Sequence, residues 1–93
     1  MINKHDVVRE MINPTAKTEV TVYSKTPCGG CDFTKKWLDE HDVDYKAVED
    51  ADQDSKVMKQ MRKHGYMGFP VVTVGSWDNG WSGINLNRLE ELL

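Results

Sequence analysis

The stretch Thr26-Pro27-Cys28-Gly29-Gly30-Cys31 constrains this chain most, because it holds both cysteines and lies between a segment of strand character and one of helix character. Two cysteines separated by two residues place the second thiol about one helical turn after the first, where a disulfide can form and open without unfolding. That is reversible redox chemistry. Upstream, Val20-Thr21-Val22-Tyr23 alternates β-branched and aromatic residues as a strand does. Downstream, Phe33, Trp37, Leu38 and His41 recur at helical spacing, with Phe33, Trp37 and Leu38 expected on the buried face. Cys28 therefore falls at a helix N-terminus, where unpaired backbone N–H groups and the positive end of the helix dipole favour the nucleophilic thiolate. Lys25 adds a nearby positive charge.

A chain of 93 residues forms one domain with a modest core, and hydrophobic content of 39% fits a globule. Charged residues reach 29% with a net charge of only −3. Lysines and carboxylates are interspersed, so there is no basic footprint for nucleic acid. No apolar run approaches the ~18 residues of a membrane span, and the N-terminus lacks the apolar core of a signal peptide, so a cytoplasmic protein is expected. Two cysteines in one C-x-x-C pair argue for redox or metal work and against a disulfide staple.

Taken in order, Val7, Val8, Met11 and Ile12 mark one face of a short helix capped by Asn3, stopped by Asn13-Pro14 and followed by a polar linker. Residues 1–19 are expected to form an extension that packs on the domain or meets a partner; residues 20–93 form the domain proper. After the first strand, Thr26-Pro27 holds the chain extended and projects Cys28 outward. The helix runs to about Glu40 or His41, and Val43 to Val48 follows as a second, parallel strand. Asp52 or Asp54 caps the next helix, whose apolar side is Val57, Met58 and Met61 and whose end is marked by Gly65. A third strand spans Phe69 to Val74, entered through Pro70. Asp78-Asn79-Gly80 predicts the turn of a hairpin, with Trp77 in it and Trp81 on an antiparallel fourth strand. Asn85 then caps a last helix with Leu86, Leu89, Leu92 and Leu93 on one side and an Ile84–Leu89 staple.

Val22-Tyr23-Ser24-Lys25-Thr26-Pro27-Cys28-x-x-Cys31, then Phe69-Pro70-Val71-Val72, then Trp81-Ser82-Gly83, resemble glutaredoxin-like proteins in order and spacing. Trp81-Ser82-Gly83 is similar to the NrdH-redoxin branch, small electron donors to ribonucleotide reductase. The resemblance covers roughly residues 20–93. It implies an α/β, thioredoxin-like fold, β-α-β-α-β-β-α, with a four-stranded mixed sheet and Pro70 cis beside the cysteine pair. It also implies that the main chain of Phe69 pairs with the extended backbone of a disulfide substrate, and that Lys25, Pro27, Trp81, Ser82 and Gly83 border that substrate. Two departures stand out. The spacer is Gly29-Gly30 where the branch usually carries a bulky residue and Gln, and Asn85-Leu86 replaces the Arg-Pro often found there.

The roles that follow are Cys28 as nucleophile and Cys31 as resolver, with a redox-active disulfide and no other cofactor. Glutathione-using glutaredoxins generally have Gly-Gly followed by aspartates where this chain reads Ser82-Gly83-Ile84-Asn85-Leu86-Asn87, although Lys25 matches a residue contacting the glycyl carboxylate. The expected donor is therefore a thioredoxin reductase, with weak glutathione use, and the expected acceptor is ribonucleotide reductase or another disulfide protein. A glutathione-dependent glutaredoxin is the alternative. The rival of another class is a module binding an iron–sulfur cluster, which would need ligands beyond two thiolates. His5, His41 and His64 show no ligand spacing among themselves. A monomer is expected, with Asp32 serving the helix dipole and no metal ligated.

Overall fold

A computed structural model describes residues 19–93. The expected helix within residues 3–12 and the linker after Pro14 lie outside that range. Four strands form one mixed sheet: β1 (Val20–Tyr23), β2 (Tyr45–Val48), β3 (Val71–Val74) and β4 (Ser76–Ser82), in the spatial order β2-β1-β3-β4. The central strand β1 runs parallel to β2 and antiparallel to β3, and β4 returns antiparallel to β3. The helices are α1 (Gly29–Glu40), α2 (Ser55–Lys63) and α3 (Leu86–Glu90), with a short 3-10 turn at Ala51–Gln53. This is the order expected from the sequence.

Strand alternation splits the core in two. Val20, Val22, Val72 and Trp81 face Leu38 of α1 and Leu89 of α3. On the opposite face Val71 packs with Ala51 and with Val57 and Met61 of α2, and Tyr23, Val48, Met58, Tyr66, Phe69 and Trp77 close around them. Because both faces are covered, the adjacent residues Val71 and Val72 are both fully buried. Asp54 caps α2 by accepting from the N–H groups of Lys56 and Val57, and Gly65, at φ +75°, takes the left-handed conformation that ends it.

Several boundaries and faces differ from expectation. Strand β2 starts at Tyr45, after Asp42 at positive φ and a Val43 N–H bound to Leu38 O; β3 starts at Val71, just past Pro70. Phe33 is 42% exposed, and the buried ridge of α1 is Cys31, Thr34 and Leu38. At ~100° per residue Phe33 lies about 200° round the helix from Cys31, so burying the cysteine turns the phenylalanine outward. Helix α3 stops at Glu90, which leaves Leu86 and Leu93 exposed while Leu89 is buried and Leu92 packs beneath.

The hairpin turn is not at Asp78-Asn79-Gly80. The chain reverses at Gly75, at φ +83°; Ser76 pairs with Val74 and Gly80 with Thr73, so Trp77, Asp78 and Asn79 form a wide bulge in β4. The bulge folds Trp77 back over the sheet, stacked on Tyr23 at 4.6 Å between ring centroids, with its carbonyl accepting the Tyr66 hydroxyl at 2.6 Å. Trp77 is thus half-buried, not an exposed turn residue. Glycine is required where the bulge closes, since a Cβ on Gly80 would lie 2.5 Å from Val72 O.

A polar anchor fixes the chain leaving β1. Ser24 is buried, its N–H bonds to Val48 O, its carbonyl accepts from Ala51 N, and its hydroxyl donates to Glu49 Oε1 at 3.0 Å. Lys35 of α1 reaches Glu49 Oε2 at 2.7 Å. The Lys35 and Ser24 hydrogen bonds hold the Glu49 carboxyl below the usual carboxylate range. A lowered folded-state value means stability that is present above the ordinary glutamate range and lost as pH falls through the lowered one.

Two tests follow from this packing. Gly80→Ala is expected to destabilise the fold by roughly 1–3 kcal/mol, read as a lower urea midpoint, because Val72 O belongs to the rigid backbone. In acid titrations followed by urea unfolding, Glu49→Gln is expected to flatten the loss of stability below the usual carboxylate range; an unchanged profile would mean that the Lys35 pair contributes nothing.

Candidate functional site

Cys28 is the N-cap of α1, with extended backbone at φ −160° and ψ 103°, and its Sγ accepts the N–H of Cys31 at 3.1 Å. Its carbonyl accepts the N–H of Asp32, whose carboxylate occupies the first turn of the helix. Cys28 and Cys31 form a disulfide across a Cα separation of 5.3 Å. The two sulfurs differ in access: Cys31 is 1% exposed and lies on the buried ridge, whereas Cys28 is only half-buried at the rim. A cap sulfur aimed at main-chain N–H groups is well placed to carry negative charge once the bond opens.

The second wall is the loop before β3. The Phe69–Pro70 peptide is cis and Pro70 is fully buried; the Thr26–Pro27 peptide is cis as well. Pro70 meets the spacer, since a Cβ built on Gly30 would lie 3.3 Å from Pro70 Cδ and 3.5 Å from Ile84 Cδ1 and Cγ1. At Gly29 the same atom would meet nothing within 4 Å. The spacer is open on one side and closely packed on the other.

Trp81-Ser82-Gly83 holds this wall in place. Ser82 Oγ accepts the N–H of Gly68 at 3.1 Å and donates to Gly68 O at 2.8 Å, and the Gly83 N–H, at φ +83°, bonds Pro70 O at 2.7 Å. Phe69, between the clamped Gly68 and Pro70, tucks its side chain toward the α2 side of the core, and its main-chain N–H and C=O take no hydrogen bond among the described residues. Trp81 is a core residue beneath α3, with the Arg88 guanidinium 4.8 Å from its ring centroid. Its part in the site is to seat β4, and it offers no open surface there. Lys25 and Pro27 are exposed on the chain entering Cys28.

Sequence reasoning missed three contributors. Gly68 is bound twice by Ser82, but a lone glycine in a loop gives no sign of its partner. The Ser24–Glu49–Lys35 anchor joins residues far apart in sequence, and only the spacing of Lys35 four residues after Cys31 hinted at a shared side of α1. Ile84, read as a staple for α3, lies against Gly30 with 52% of its surface exposed. Among the histidines, His41 ends α1 with its ring stacked on Trp37, and His64 Nε2 lies 2.9 Å from Asp78 Oδ1. Among the described residues no group of three or more His, Cys, Asp or Glu side chains is placed to hold a metal ion, and no helix is long and apolar enough to cross a membrane.

Comparison with known proteins agrees with this geometry. The glutaredoxin family model matches residues 20–76. The glutaredoxin-like protein NrdH of Lactococcus lactis subsp. cremoris is 33% identical over 73 residues, covering 78% of this chain and 97% of that protein. NrdH-redoxin from Escherichia coli superposes with a TM-score of 0.72 at 25% identity, covering 81% of this chain and 95% of that one. A glutaredoxin from Archaeoglobus fulgidus gives a TM-score of 0.61 at 26% identity, with coverage of 99% and 95%. With its cysteine pair at disulfide distance and its sheet and helices in the thioredoxin-like arrangement, the chain belongs to the glutaredoxin family and is a thiol–disulfide oxidoreductase similar to the NrdH glutaredoxin-like proteins.

Proposed function

We propose that the protein is a cytoplasmic dithiol carrier that accepts electrons from a thioredoxin reductase and passes them to the disulfide of a ribonucleotide reductase or a comparable protein. The observation that carries this reading is the unequal exposure of the two sulfurs at the start of α1. In the reduced carrier the Cys28 thiolate attacks one sulfur of the partner disulfide. A mixed disulfide forms, and the other partner sulfur leaves as a thiolate and takes up a proton. Cys31 then loses its proton and attacks Cys28 Sγ, which forms the Cys28–Cys31 disulfide and releases the second partner sulfur. Two electrons leave the carrier, and the reductase returns two. No further cofactor is needed for either step.

The unpaired main chain of Phe69 supports docking of the partner as an added strand, which recognises backbone and tolerates varied sequence. The donor assignment rests on what residues 82–87 have already committed. Ser82 Oγ is bound to Gly68, the Gly83 N–H to Pro70, and Asn85 Oδ1 to the N–H of Arg88 as the cap of α3. None of these groups is left for the γ-glutamyl end of glutathione. Exposed Lys25 remains for a carboxylate, consistent with weak glutathione use. The E. coli relative is described as having a thioredoxin-like activity profile, which favours the same donor. Residues 1–19 are read as an extension to a carrier domain of residues 20–93, working as a monomer.

Cys31→Ser is expected to accumulate mixed disulfides with protein substrates, detected by non-reducing electrophoresis, and Cys28 of the reduced protein should be alkylated faster than Cys31. Trapping by Cys28→Ser instead would reverse the two roles. For the donor, NADPH consumption with purified thioredoxin reductase is expected to exceed that with glutathione plus glutathione reductase on a common disulfide substrate. Turnover in the glutathione system alone would identify the protein as a glutathione-dependent glutaredoxin.

A further inference from the structure

The two spacer glycines are not equivalent, and the difference lies at Ile84. Space above Gly29 is empty, whereas a Cβ on Gly30 would sit 3.5 Å from Ile84 Cγ1 and Cδ1, at ordinary contact, and slightly tight against Pro70 at 3.3 Å. Ile84 is held on both sides along the chain. Gly83 is bonded to Pro70 O, and Asn85 caps α3. With one side against the spacer and 52% of its surface still exposed, it presents an apolar side chain beside Gly30, between the two cysteines in sequence. Single exposed aliphatic residues are common on protein surfaces and mean little alone. This one differs because its backbone is pinned and it completes the wall of the redox site.

We propose that Ile84 is a specificity-determining residue that selects disulfides carried on a peptide segment with an apolar side chain next to the cysteine. The inference rests on Cys28 being the attacking sulfur. Once the partner cysteine is bound to Cys28, its neighbours lie over the first turn of α1. Gly29 gives them room, and Ile84 over Gly30 offers the apolar contact. Residues 83–87 carry no charged side chain, so the segment favours an apolar neighbour over an ionic one. Because the backbone on either side of Ile84 is hydrogen-bonded, the contact forms without ordering the segment anew.

The test mixes the reduced full-length protein with two synthetic peptide disulfides that differ only in leucine or asparagine beside the cysteine, and with hydroxyethyl disulfide. Single-turnover rates are measured against peptide concentration. For the wild type the half-saturating concentration should be about fivefold to tenfold lower for the leucine peptide, with similar rates at saturation. Ile84→Ala should shrink that preference to about twofold or less, and Ile84→Val should keep most of it. A wild type without preference, or an Ile84→Ala variant that retains it, would overturn the proposal while hydroxyethyl disulfide reduction leaves the carrier reading standing. Failure of the wild type to reduce hydroxyethyl disulfide would remove both.

Discussion

The contact between Gly30 and Pro70 is the constraint on which the site depends. It sets the first turn of α1 close against the loop that leads into β3, where a side chain on Gly30 would need the proline ring to give by a few tenths of an ångström. The loop is then secured from β4, through Ser82 to Gly68 and through Gly83 to Pro70. Three segments distant in sequence thus lock together around the disulfide, and between the clamped Gly68 and Pro70 the main-chain groups of Phe69 are left unpaired among the described residues. Orphan main-chain groups are costly when sealed from water and useful when a partner can reach them. In the proposed docking mode these are the groups that would pair with a partner's backbone.

The same interlocking divides the labour between the sulfurs. Two glycines at the start of a helix weaken it, each by ~1 kcal/mol relative to alanine. The Cys28 cap works in the other direction by accepting the N–H of Cys31. A disulfide sulfur is a weak acceptor and a thiolate a strong one, so this bond strengthens when the pair is reduced. Cys31 is buried on the ridge with Thr34 and Leu38. In the proposed mechanism that burial would hold the second thiol back until Cys28 has reacted, without a moving part.

Much of this was legible in the sequence, for reasons that differ by element. Cys28 as cap of α1, Asp54 and Gly65 at the ends of α2, and Asn85 before α3 are local devices, in which a side chain or a glycine acts within a few residues of itself. The Val-rich strands were equally plain because a central sheet buried on both faces leaves little room for polar residues. Faces were harder. Phe33 is the more hydrophobic-looking choice for the core, yet Cys31 and Leu38 decide how α1 is turned. The partners of Ser24, Ser82 and Ile84 come from other elements, and no local pattern encodes them.

The β4 bulge shows how a turn signal can be read correctly in kind and wrongly in place. Asp78-Asn79-Gly80 does bend the chain, but Gly75 has already reversed it, so the bend becomes an excursion within the strand. Its purpose is visible in what it covers. Helix α2, Ser55–Lys63, packs over Val71 through Val57 and Met61, whereas Tyr23, at the end of β1, is roofed by Trp77. Burial pushes the Tyr23 phenol up, in keeping with its place in this apolar layer. Tyr23 is followed directly by Ser24 and the chain to Cys28, so the bulge stiffens the root of the redox loop from the face opposite α1. Gly80 is the residue that permits it, because any side chain there would strike the backbone of β3.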